Sequence, residues 1–152
     1  MPRRLTALLA CPAVAVLACG SGEPRFDQAC AESPQAIERA LSRAPGRVAL
    51  ASGTRLSQCV RAARGGADLQ NLGAALTSAA DDLAQRAVTG EPRAPLELGY
   101  LIGATRAGAR HSAGVQDELL RHVELAGARV AARGGAGAAQ LAAGARAGEA
   151  RG

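Results

Sequence analysis

The chain has 152 residues, 48% of them apolar, with Phe26 and Tyr100 as its only aromatics besides a complete lack of tryptophan, and it carries a formal charge of +5. This length allows one domain at most, and a core without aromatic bulk must be built from Leu, Val, Ile and closely approaching Ala. Arginine supplies all 18 basic residues, but they are scattered among Asp and Glu without forming a stripe, and no stacking aromatics or reading motif accompany them, so nucleic acid is set aside as a partner.

The chain opens on Met1-Pro-Arg-Arg4, a short positive segment, followed by the apolar run Leu5–Leu17, LTALLACPAVAVL. Such a run fits the roughly 7–15 apolar residues of a signal peptide. It is too short for a membrane span, which needs about 20 residues, and Pro12 interrupts it. Without Arg3 and Arg4 the chain keeps 16 arginines against 13 acids, a small excess suited to a solvated helical surface.

The run closes on Val16-Leu17-Ala18-Cys19. This segment resembles the lipobox of bacterial lipoprotein precursors. The resemblance covers about the first 24 residues, and Val16 departs mildly from the leucine more common at that position. It implies that residues 1–18 are a signal peptide cut before Cys19, whose sulfur receives a diacylglyceryl group. Residues 19–25 are then a flexible tether, CGSGEPR, and the protein is anchored to the outer face of the bacterial cytoplasmic membrane. Ordinary cleavage after Ala18 or Ala15 and an uncleaved anchor are the alternatives. Leu8-Leu9-Ala10-Cys11 also matches the box, but its apolar segment is too short.

Four cysteines are present: Cys11, Cys19, Cys30 and Cys59. If Cys11 leaves with the signal peptide and Cys19 is acylated, two remain, and an exported chain has the redox environment to pair them. A Cys30–Cys59 bridge closes a loop of about 30 residues, worth roughly 3–4 kcal/mol on the chain-entropy account. The absence of Cys-x-x-Cys spacing favours structural use over redox activity.

Beyond the tether, five helices are predicted, making an all-α bundle over residues 26–133. Ser33-Pro34 is a helix start, cap followed by proline at the first position. It leads a helix to Ala44, with Ile37, Ala40 and Leu41 on one face. A second, Arg55 to Arg64, places Leu56, Cys59, Val60 and Ala63 on a stripe that turns Cys59 inward. The third runs from a cap at Asp68 to Val88, with a seam of Leu69, Leu72, Leu76, Ala79 and Leu83. Asp81 and Asp82 are adjacent, yet neighbours on a helix point about 100° apart and do not share a site. The fourth, Pro95 to Arg110, contains Gly99 and Gly103, a small-xxx-small pair suited to close packing against a neighbouring helix. The fifth, Val115 to Ala132, forms a hairpin with the fourth. Residues 134–152, nearly all Ala, Gly and Arg, offer Leu141 as their only large apolar residue and read as a disordered tail. Gly135-x-Gly137 does not extend into a dinucleotide fingerprint.

Chemistry is sparse. His111 and His122 are the only imidazoles, flanking the turn at Gly114, with Glu118 four residues before His122. A metal centre wants three or four converging ligands, and no His-Glu-x-x-His pattern, nucleophile elbow or phosphate loop is present. No metal and no cofactor are expected. The leading expectation is a non-catalytic helical interaction module of the cell envelope, engaging another envelope protein or a wall polymer. The alternatives are a small-ligand module with a pocket between the third, fourth and fifth helices around Tyr100, and an enzyme using His111, Glu118 and His122.

Overall fold

A computed structural model describes residues 25–152 except His111, Ala113 and Val115. The expected signal peptide, Cys11, Cys19 and most of the expected tether therefore lie outside the described residues, as does His111. Among the described residues the fold is all-helical. A 3-10 turn, Gln28–Ala31, precedes six helices: α1 Pro34–Leu41, α2 Leu56–Ala62, α3 Gly66–Val88, α4 Ala94–Ala109, α5 Asp117–Ala131 and α6 Gly135–Arg151.

Local chemistry accounts for most of these bounds. Ser33 caps α1 by accepting a hydrogen bond from the Ala36 amide at 3.1 Å, with Pro34 at the first helical position. Asp27 caps the 3-10 turn, accepting from Ala29 N at 3.0 Å. Helix α3 begins earlier than its sequence signal suggests: Gly65 is the cap, and Asp68 falls in the first turn, where a carboxylate favours the positive end of the helix dipole. Between α1 and α2 the chain turns at residues 42–46 and again at 51–53, and the irregular stretch between them buries Val48 and Leu50 while Arg47 stays exposed. Cys30 and Cys59 are joined in a disulfide and both are buried, so α2 is pinned to the start of the domain.

Helix α4 is the axis of the molecule. Thirteen of its sixteen residues are buried, so it presents almost no solvent face, as expected for a helix surrounded by others. Helix α5 returns antiparallel to it: Arg106 Nε meets Glu124 at 2.8 Å, while Gly127 lies against Ile102. Helix α3 runs beside α5 in the same direction, with Leu69 near Leu119 at one end and Asp81 paired with Arg129 at the other.

The C-terminal segment corrects the expectation of a disordered tail, because residues 135–151 form a helix packed along α4. The contact is made by glycines on both sides. A Cβ on Gly99 or Gly103 would collide with the carbonyl oxygen of Leu141 or Ala145. A Cβ on Gly144 or Gly148 would strike that of Leu96 or Tyr100. The pairs advance together in number, so the two helices are parallel and their backbones touch. Each interior glycine costs a helix about 1 kcal/mol relative to alanine. Dispersion contacts between backbones and weak Cα–H···O interactions offset that cost. The turn into α6 uses Gly134 and Gly135 at φ of 69° and 65°, a left-handed geometry natural to glycine. Arg151 Nη1 then donates to the Pro45 carbonyl at 2.7 Å, and the Ser57 hydroxyl donates to the Gly152 carbonyl.

Candidate functional site

An open groove runs along α3 and α5. One cavity of about 480 Å³ is floored by Leu69, Gly73, Ala74 and Leu119 and rimmed by Glu118 and His122. A second, of about 330 Å³, continues from Thr77 and His122 to Leu125, Asp81 and Arg129. Thr77 and His122 line both, so the two form one trough. Its shape follows from sequence: α3 places small residues (Gly66, Gly73, Ala74, Thr77) along the side that faces α5, and small side chains leave space between helix axes. Leu125, at 51% exposure, is the large apolar residue most open to solvent.

The structure brings Glu118 and His122 together on this rim, 3.2 Å apart across one turn of α5. Arg121 holds the same carboxylate more closely, with Nη2 and Nε donating at 2.6 and 2.9 Å. Those bonds draw the Glu118 carboxyl below the usual carboxylate range. A carboxylate so occupied and 66% exposed is a surface ion-pair member; nothing in this geometry activates it as a base. Among the described residues no group of three or more His, Cys, Asp or Glu is close enough to hold a metal ion. Asp81 turns to Arg129 and away from Asp82, giving no paired carboxylates.

Tyr100 does not line these cavities. It is fully buried, and α6, laid over the backbone of Tyr100, occupies the side of α4 left open when residues 135–151 are read as a tail. Burial raises its phenol, opposed in part by the nearby Val48 backbone. The groove lies between α3 and α5.

One charged cluster was not foreseen. Glu97, buried at 4% exposure in α4, faces Arg93 Nε at 3.3 Å and Arg86 Nη2 at 3.9 Å. Arg86 also donates to Glu38 at 2.7 Å and to both oxygens of Glu91, and Arg93 donates to the Ser42 and Ala44 carbonyls. Glu38 is pushed up by burial, with Arg86 opposing. These residues tie α1, the α3–α4 turn and α4 together at one end of the bundle. The Arg93–Glu97 spacing of four was a readable sign of an ion pair; the reach of Arg86 to Glu38 was not, because it depends on tertiary packing.

No family model matches this chain, and neither a curated protein nor a solved structure matches it. No helix among the described residues is long and apolar enough to cross a membrane.

Proposed function

We propose that this chain is an exported bacterial lipoprotein, held to the outer face of the cytoplasmic membrane through Cys19, that acts by presenting a helical surface to an envelope protein or wall polymer. The observation that carries the reading is the division of its cysteines. Cys30 and Cys59 are consumed in a buried disulfide, a bond suited to an oxidising compartment. Of the two cysteines that remain, Cys11 lies within the apolar run and leaves with the signal peptide on this reading, and Cys19, at the end of the run and inside the lipobox, is the thiol available for acylation. The α3–α5 groove supplies an apolar surface with a mixed-charge rim, a form suited to partner binding more than to turnover.

The test is the intact mass of the protein from a bacterial membrane fraction, before and after reduction. The expected species begins at Cys19, carries the mass of lipid, and gains about two daltons on reduction, the two hydrogens that open one disulfide. A chain starting elsewhere and lacking lipid overturns the anchor. A second reading, a module for a small apolar ligand, is favoured by the volume of the groove. It requires a ligand that raises the melting temperature of the wild-type protein and fails to do so when Gly73→Leu fills the trough.

A further inference from the structure

The excess of positive charge is not spread over the domain. Residues 25–64 carry seven arginines and three acids, whereas residues 65–152 carry nine of each. The structure separates the two halves further. In the second half Arg86, Arg93, Arg106, Arg121 and Arg129 all sit in ion pairs. In the first half no arginine has an ion-pair partner among the described residues, while two of its three acids are engaged. Asp27 accepts from Ala29 N and from the Thr54 hydroxyl at 2.5 Å, and Glu38 is bound by Arg86.

Three of these arginines lie close together. Arg55, Gln58 and Arg61 step by three along the exposed side of α2, and Arg25 lines a cavity of about 270 Å³ with Gln58, Arg61 and the Asp27 carboxylate, which is hydrogen-bonded to Thr54. The Cys30–Cys59 disulfide, whose Cys30 lines the same cavity, fixes the two arginine-bearing segments relative to each other. The face is also close in sequence to the proposed anchor: Arg25 is six positions after Cys19, a reach of at most about 20 Å when fully extended.

From this juxtaposition we infer that the face formed by Arg25, Arg55 and Arg61 rests on the anionic headgroups of the bilayer and so fixes the orientation of the domain on the membrane. The inference rests on the proposed anchor for its placement, but the face has its own affinity and is tested separately. Guanidinium groups suit lipid phosphates, which they bind through paired N–H donors, and each basic residue near an anionic surface changes partitioning about fivefold.

The experiment measures partition of the full chain carrying Cys19→Ser, which removes the acylation site, onto vesicles of phosphatidylglycerol with phosphatidylcholine and onto phosphatidylcholine alone at low salt. Arg55→Gln/Arg61→Gln is compared with Arg133→Gln/Arg146→Gln, an equal change of net charge on exposed residues of the balanced half. The first pair is expected to lose on the order of 25-fold on the anionic vesicles, with little change on the neutral ones, while the second pair stays within about twofold. Matching thermal melts certify that both variants are folded. Equal losses from the two pairs reduce the effect to net charge and overturn the face. Indifference to lipid charge, with binding to an anionic wall polymer in its place, overturns it as well. Acylated Cys19 with no arginine-dependent partitioning leaves the anchor standing and removes the face. Arginine-dependent partitioning without acylation does the reverse.

Discussion

Asp27 shows how much one side chain settles at the start of the domain. Its carboxylate accepts from the Ala29 amide and the Thr54 hydroxyl, and hydrogen bonds from Ser52 and Thr54 together with that amide draw its pKa below the usual value. A carboxyl whose folded pKa is depressed contributes stability above its unfolded value of 3.8, and the contribution is lost as pH falls through the folded value. Asp27→Ala is therefore expected to destabilise the domain by about 1 kcal/mol at neutral pH. Urea titrations should show the gap between wild type and variant narrowing once the pH drops below the ordinary carboxylate range. A gap that persists unchanged into strong acid would mean that packing, not the ionised carboxylate, is responsible. Of these contacts only the cap was open to a reader of the sequence in principle, since Thr54 meets Asp27 across 27 positions.

Helix α6 behaves differently from the other five because its partner surface is backbone. Gly144→Ala places a methyl group against the Leu96 carbonyl, and overpacking of this kind costs about 1–3 kcal/mol. Gly73→Ala, by contrast, enters the open space of the α3–α5 groove, with no atom within 4 Å, and gains up to about 1 kcal/mol of helix propensity. Melting temperatures of the two variants should move in opposite directions from wild type; a shared direction would refute the glycine seam. The same contrast explains what was legible. Helices α1 to α5 announce themselves through Leu, Ile and Val at helical spacing, bounded by Ser33-Pro34, Pro45-Gly46, Gly65-Gly66 and Thr89-Gly90. The pair Gly99 and Gly103 correctly signalled close packing, but the helix it packs against carries no apolar stripe to mark it. A search for buried side chains passes over a helix whose buried face consists of hydrogens, so residues 134–152 read as a tail. The charged cluster around Arg86 was hidden for a related reason: its partners come from α1, the following turn and α4.

At the scale of the molecule, a bundle made of alanine and glycine contacts buries little apolar area per residue, and small domains have little to spare. The disulfide accordingly supplies a large share of the stability. Reduction is expected to lower the free energy of unfolding by roughly 3–4 kcal/mol, visible as a fall in the urea midpoint of the same sample with and without dithiothreitol. An unchanged midpoint would show that α1 and α2 hold their places without the clip. The Tyr100 side chain carries one more consequence. It is the only tyrosine of a chain without tryptophan, and it is enclosed beside the α4–α6 seam. In the tyrosine band the near-ultraviolet spectrum of this protein is therefore a local instrument, reading the fit of two glycine-faced helices from a ring whose hydroxyl lies near the Val48 backbone.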